Sequence, residues 1–198
     1  LGDAYMLGFK MYDDEKDVEA IAQIKDLNYY IFSLYIPSLE KKNYFSEYER
    51  VGVEEMYLLG KEWCLEYFNN IFERTGTQFD KSYLESQVCE KGLDIVAENM
   101  IGKGKGIFKR NEGAVIYEGD KERGLHTRVF VNSEGLPTYE AKDLALAFMK
   151  FEELQFDESV IITANEQTPY FKVVLDVLSQ LNPEIAKRSK HFSHGMVK

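Results

Sequence analysis

Apolar residues recur at helical spacing through the first hundred positions. From Asp17 to Leu34 the series Ile21, Ile24, Leu27, Ile31 and Leu34 predicts a helix, and Pro37 marks its stop. A second helix is expected from about Val53 to Arg74, with Met56, Leu59, Trp63, Tyr67 and Ile71 as its stripe. Arg74 suits the negative end of that helix, and Gly76 fits the position just beyond it. A third, weaker pattern covers Ser86 to Met100 through Leu93 and Val96. Stripes of this kind predict helix-on-helix core, and the acidic groups Asp13-Asp14-Glu15 and Glu54-Glu55 predict solvated faces.

The pattern changes at Gly102-Lys103-Gly104-Lys105-Gly106, which lacks the spacing of a phosphate-binding loop and reads as a turn opening a strand. Ile107-Phe108 and Ala114 to Tyr117 predict a hairpin around Asn111-Glu112-Gly113, and His126 to Val131 a further strand. After Gly135, helix and strand alternate. Thr138 is the expected cap of a helix from Tyr139 to Glu153 with Leu144, Phe148, Phe151 and Leu154 inward. The run Ser159-Val160-Ile161-Ile162-Thr163 predicts a parallel strand buried on both faces. Thr168 as cap and Pro169 at the first helical position open the next helix, with Phe171, Val174, Leu175 and Leu178 inward, until Asn182-Pro183. Lys190 to Lys198 reads as another strand. The expected class is therefore α/β, a Rossmann-like parallel-sheet part preceded by an acidic, mainly helical segment, with the break between residues 1–100 and 101–198.

Charge sharpens this division. The 198 residues carry a net −10. Residues 1–100 hold 10 Lys+Arg against 20 Asp+Glu, whereas 101–198 hold 14 of each. Neither part is basic, which argues against a chain that grips phosphate backbones and against a cationic membrane-surface protein. No apolar run reaches the length of a bilayer span, and no charged-then-apolar leader pattern is present. Two cysteines, Cys64 and Cys89, and no Asn-x-Ser/Thr acceptor lead to the expectation of a reducing cytoplasm. The first residue is Leu1, so the chain is expected to be processed or cut from a longer one.

In open α/β sheets, ligands bind beyond the carboxyl ends of the strands. Asn165-Glu166-Gln167 follows one such strand, and Ser193-His194-Gly195-Met196 lies near the end of another. Tyr139 and Asp143 are four apart and share a helix face, so they can converge on the same place. A carboxylate beside a phenol and an amide suits a guanidinium, because two parallel N–H groups fit one carboxylate. The alternative is an exposed Asp143 favoured by the helix dipole and a surface Tyr139. His191 and His194 point to opposite faces of a strand, so no metal site is expected, and no Ser/His/Asp or Cys/His arrangement stands out.

Four stretches carry a resemblance. Gly113-Ala114-Val115-Ile116-Tyr117, Arg128-Val129-Phe130-Val131-Asn132-Ser133-Glu134-Gly135-Leu136-Pro137-Thr138-Tyr139-Glu140-Ala141-Lys142-Asp143, Thr163-Ala164-Asn165-Glu166-Gln167 and His191-Phe192-Ser193-His194-Gly195-Met196-Val197 resemble, in this order, the catalytic core of arginyl-tRNA synthetases. More loosely, Trp63-Cys64-Leu65-Glu66-Tyr67-Phe68 to Gly76-Thr77-Gln78-Phe79-Asp80 is similar to the helical segment ahead of that family's "FD" turn. The resemblance implies a class I aminoacyl-tRNA synthetase that activates arginine with ATP and transfers it to its tRNA. It implies that Tyr139, Asp143 and Gln167 bind the arginine side chain, and that His194, Gly195, Met196 and Val197 lie against the ATP adenosine. Magnesium would accompany ATP in the whole enzyme, tRNA would be gripped mainly by other domains, and the protein would be a monomer. Glu134 stands where the family usually has Asp. The family's "HIGH" element is expected upstream of residue 1 and its "KMSKS" loop after Val197, so no catalytic residue is expected in this chain, which alone should be inactive. Two other readings stay open: a class I synthetase for another amino acid, and a non-catalytic α/β binding module.

Overall fold

The structure, a computed structural model, describes residues 2–40, 42 and 45–195. The chain divides into two compact units, residues 1–82 and 83–198.

The first unit is helical. A short helix α1 (Gly2–Phe9) runs into a single wide turn at Lys10–Asp14, neither of which the apolar spacing had suggested. Helix α2 (Val18–Ser33) starts where Asp17 accepts from the backbone N–H groups of Glu19 and Ala20. Helix α3 (Glu47–Thr75) begins earlier than its stripe suggested, because Ser46 and Glu49 form a reciprocal capping box. It ends as expected at Gly76, whose φ of 67° lets its N–H close the last turn on Phe72 and Glu73. Tyr30 on α2 donates to Glu54 on α3 at 2.5 Å, and the rings of Tyr35 and Tyr57 meet at 5.7 Å. The half-buried line of α3 runs through Val53, Tyr57 and Lys61, so the expected core stripe is displaced: Met56, Leu59, Trp63 and Tyr67 are exposed. Apolar residues occur on nearly every side of this helix, and spacing alone does not select one face.

The second unit is α/β. Helix α4 (Glu85–Glu98) packs against α5 (Tyr139–Leu154) and so belongs here, whereas the break expected at residue 100 grouped it with the acidic helices. Strands β1 (Phe108–Asn111), β2 (Ala114–Tyr117) and β3 (Arg128–Val131) form an antiparallel sheet in that order. The first hairpin closes on Glu112 and Gly113, both at positive φ (49° and 83°), which matches the right-handed twist of the strands. The rings of Phe108 and Phe130 lie 4.9 Å apart, and Tyr117 meets Phe130 edge-on. Around them pack Leu144 of α5 and Val173 and Val177 of α6 (Thr168–Leu181). The Tyr117 hydroxyl donates to Asp176 at 2.5 Å, and Arg123 pairs with the other oxygen of Asp176 at 2.6 Å. Burial and the Asp176 carboxylate push the Tyr117 phenol up to about 12.

Because Phe130 has no exposed surface and two aromatic neighbours, Phe130→Ala should cost about 3–5 kcal/mol. That is a large share of the roughly 5–15 kcal/mol that holds a domain folded. The check is urea unfolding, in which the midpoint should fall with little change of slope.

Strand β4 (Ser159–Ala164), α6, a short helix α7 (Pro183–Arg188) and β5 (Ser189–His194) complete a parallel crossover, with Ile161 opposite His191 and Ala164 opposite His194. Among the described residues, only one face of this pair is covered. Ile161 turns inward, whereas Val160 and Ile162 are 46% and 69% exposed, correcting the expectation of burial on both faces. Two expected caps also differ. The Thr138 hydroxyl donates to the carbonyls of Val129 and Phe130, which ties α5 to β3 instead of capping the helix. Thr168 is itself helical, because a 3₁₀ turn at Asn165–Gln167 precedes α6. Asn182 does end α6, but its side chain then caps α7, which the sequence pattern had not revealed.

Candidate functional site

The first turn of α5 and the turn between β4 and α6 face a common cleft of about 440 Å³. From α5 come Tyr139, Glu140 and Asp143; from the end of β4 comes Thr163; from the β4–α6 turn and the start of α6 come Gln167, Tyr170 and Phe171; from β3 comes Arg128. The structure thus brings Tyr139, Asp143 and Gln167 together. The reason is local: Tyr139 and Asp143 are one turn apart on α5, and the crossover places the start of α6 beside that turn.

The three differ in surroundings. Tyr139 is 64% exposed, with the Lys142 ammonium 4.1 Å from its ring centroid. Lys142 is itself buried and pairs with Glu85 of α4 at 2.5 Å. Gln167 is exposed at the cleft edge. Asp143 is half-buried, and the buried Tyr170 donates its hydroxyl to Asp143 Oδ2 at 2.5 Å. Burial raises the Asp143 carboxyl above the ordinary range; the Tyr170 hydrogen bond and the Lys142 charge pull it down, and Glu140 and Glu85 push it up. The Tyr170 phenol is raised in turn by burial and by Asp143. The reading of Asp143 as a freely exposed first-turn acid therefore does not hold, whereas Tyr139 is a surface residue.

Sequence reasoning did not single out Tyr170, Arg128 or Glu140. Arg128 lies 3.7 Å from Glu140 and 5.7 Å over the Tyr170 ring, and among the described residues its buried Nε has no hydrogen-bond partner. A phenol three positions after Gln167, on the face of α6 that also carries the apolar Phe171, Val173, Val174 and Val177, was the available signal for Tyr170. Below the cleft, His191 stacks on Phe171 at 4.6 Å and its Nε2 lies 2.8 Å from Thr163 Oγ1; burial lowers its pKa.

His194 lies at the carboxyl end of β5, exposed, with Nδ1 2.9 Å from the Gly195 carbonyl. A Cβ on Gly195 would come within 3.9 Å of Asn165 Nδ2, so this strand end and the Gln167-bearing turn share one edge of the sheet. Met196 and Val197 lie outside the described residues. Among the described residues, no three His, Cys, Asp or Glu side chains come together to hold a metal ion. Nor is any described helix long and apolar enough to cross a membrane. Cys64 is exposed and Cys89 buried, both as free thiols.

Chemically, two carboxylates, two phenols and an amide share the cleft with the Arg128 guanidinium, which lies 3.7 Å from Glu140 and leaves Asp143 as the carboxylate open to a cationic ligand rich in N–H donors. The sequence profile of the family described as "tRNA synthetases class I (R), catalytic domain" matches residues 5–198. The arginine–tRNA ligase of Parabacteroides distasonis is 30% identical over 145 residues, covering 73% of this chain and 24% of that protein. The arginine–tRNA ligase of Treponema pallidum is 32% identical over the same shares. The chain thus spans about a quarter of the length of these curated relatives. Among solved structures, the arginyl-tRNA synthetase of Plasmodium falciparum superposes with a TM-score of 0.57 at 13% identity, covering 86% of this chain and 33% of that one, which supports the fold. By the match over nearly its whole length, this chain belongs to the family of class I tRNA synthetase (R) catalytic domains.

Proposed function

We propose that this chain is the part of an arginine–tRNA ligase catalytic domain that holds the side chain of arginine. Asp143 takes the guanidinium as its anionic acceptor, the Tyr139 hydroxyl and the Gln167 amide orient it, and the cleft walls exclude water around the contact. The observation that carries this reading is that Tyr139, Asp143 and Gln167 line one cleft, with the carboxylate half-buried and not paired with any lysine or arginine among the described residues. A cation entering there finds a desolvated charge already in place, where electrostatic attraction is stronger than in bulk water.

The rest of the proposal concerns the whole enzyme. It uses ATP to activate arginine, with the adenosine against His194, Gly195, Met196 and Val197, and transfers the arginine to its tRNA. Magnesium comes with ATP, and tRNA is held mainly by domains other than this one. Residues 1–82 form an acidic helical segment that precedes the α/β unit of residues 83–198. The enzyme works as a monomer in the cytoplasm.

The test uses L-arginine and L-citrulline, which have nearly the same shape but differ in charge. Added to the purified chain, arginine should shift the amide resonances of residues 139–143 and 167–171, with a Kd of about 1 mM or tighter, or about −4 kcal/mol. Citrulline should produce no comparable shift, and lysine should bind more weakly because a single ammonium cannot span the acceptors. Equal binding of arginine and citrulline, or no binding of arginine, sinks the proposal.

A further inference from the structure

We propose that Tyr170 is the positioning residue of this cleft: its hydroxyl, hydrogen-bonded to Asp143 Oδ2, holds the carboxylate in its plane and keeps it ionised for a guanidinium ligand. The inference rests on the reading of Asp143 as the guanidinium acceptor and adds a residue to it.

Four observations carry the argument. Tyr170 is buried on α6, 27 positions from Asp143 on α5, and its hydroxyl lies 2.5 Å from Oδ2, the length of a charge-assisted O–H···O⁻ bond. Among the described residues it is the only hydrogen-bond donor to Asp143. The ring that carries the hydroxyl is itself held, because Phe171 meets it edge-on at 4.9 Å and the Arg128 guanidinium lies 5.7 Å over it. Arg128 in turn leans on Glu140, so the phenol is braced from β3, from α6 and from the first turn of α5. A carboxylate with no second donor would otherwise rotate about its terminal bond, which is soft.

The same contact bears on protonation. A half-buried carboxylate is driven toward its neutral form by desolvation, and a neutral Asp143 would offer a guanidinium little. Every charged group facing it enters the balance. Glu140 on its own helix and Glu85 on α4 favour protonation, while Lys142 and the Tyr170 hydroxyl oppose it; Arg128, from β3, acts on the phenol. Of the two opposing groups, Lys142 already has Glu85 at 2.5 Å, so its effect on Asp143 is partly spent there. Tyr170 acts on the carboxylate directly.

Tyr170→Phe removes the hydroxyl and keeps the ring, its packing and its place beside Arg128. In the ligand-free chain, the Asp143 carboxyl carbon is followed by NMR across pH. The expected result is a titration midpoint higher in Tyr170→Phe by about one pH unit, a tenfold gain in proton affinity. Replacing Tyr170 with 3-fluorotyrosine, a stronger donor of the same size, should move the midpoint the opposite way, a sign that loosened packing would not produce. If neither change moves the Asp143 midpoint, the positioning role is overturned.

Arginine affinity is then measured for the parent chain and Tyr170→Phe at two pH values. The ratio of the two Kd values should widen as pH falls toward the Asp143 midpoint, and a ratio independent of pH overturns the role in keeping the carboxylate ionised. A shifted midpoint with no arginine binding in the parent chain leaves the Tyr170–Asp143 coupling standing and removes the guanidinium reading, so the two failures are distinguishable.

Discussion

Asp143→Asn should abolish most arginine binding while leaving the chain at least as stable at pH 7. The binding loss follows from removing the charge that faces the guanidinium. Truncating one partner of a desolvated, hydrogen-bonded charge pair costs about 2–5 kcal/mol, which is about 30-fold or more in Kd. The stability effect has the opposite sign. Burial raises the Asp143 carboxyl above its value in the unfolded chain, so folding holds this proton more tightly. That contribution is complete below the unfolded value, about 3.9, and is lost as pH rises through the raised folded value. At neutral pH the ionised group therefore works against folding. An amide keeps an acceptor for the Tyr170 hydroxyl without the buried charge, so the thermal midpoint should hold or rise. Calorimetric titration with arginine and a thermal melt of the same samples check both halves, and a variant that binds arginine unchanged defeats the assignment. The parent chain should also lose arginine as pH falls through the raised Asp143 value, above the range where an ordinary aspartate titrates.

An unstable carboxylate at this place is what a binding site requires and what a packed core avoids. Its position also explains how much of the site could be read beforehand. Tyr139 and Asp143 share a helix face by spacing alone, and Gln167 follows a strand end, where α/β sheets bind ligands. Their convergence is tertiary. It depends on α6 starting beside the first turn of α5, and no periodicity within either segment encodes that distance. Tyr170 is the clearest case, since a hydrogen bond between positions 143 and 170 has no local signature. The resemblance named Tyr139, Asp143 and Gln167 because it compares whole motifs; the physical spacing had left a surface reading of the first two open.

The fold shows the same division between local and distant causes. Helix α6 was legible as an element, because Pro169 lies in its first turn, and Phe171, Val174 and Leu178 do turn inward; the buried Tyr170, Val173, Asp176 and Val177 widen that face beyond the expected stripe. The hairpin of β1 and β2 was legible because Glu112-Gly113 sits between two apolar runs. Helix α3 was legible as a helix but not as a surface, since Met56, Tyr57, Leu58 and Leu59 surround it and packing on α2 selects Tyr57. Strand β4 was legible as a parallel strand, yet a continuous apolar run does not say how much of its cover lies within these 198 residues. Thr138 misled for a definite reason. Its hydroxyl found the carbonyls of Val129 and Phe130, which a cap rule cannot foresee from the helix sequence.

Two glycine-to-alanine changes should have opposite effects, and the contrast tests how α4 positions the site. Both residues lie inside helices, where alanine is intrinsically favoured over glycine by about 1 kcal/mol. At Gly52 in α3, an added Cβ meets nothing within 4 Å, so Gly52→Ala should stabilise by up to about that amount. At Gly92 in α4, the Cβ would lie 2.8 Å from the carbonyl oxygen and 3.0 Å from the carbonyl carbon of Ala141, in the first turn of α5. Those are backbone atoms of a fully buried residue, and they cannot turn aside as a flexible side chain would. The helices must separate instead, and overpacking of this kind costs about 1–3 kcal/mol, which outweighs the propensity gain. The displaced turn is the one that carries Tyr139, Glu140, Lys142 and Asp143, and it is also tied to α4 through Glu85. A shift approaching 1 Å at a binding group can cost about a hundredfold in function, so a few tenths should weaken arginine binding by about tenfold. Urea unfolding should raise the midpoint for Gly52→Ala and lower it for Gly92→Ala, with arginine affinity falling in the second alone. If Gly92→Ala is stabilised like Gly52→Ala, then α4 does not set the position of the Tyr139–Asp143 turn, and the cleft owes its geometry to the β3 and α6 contacts instead.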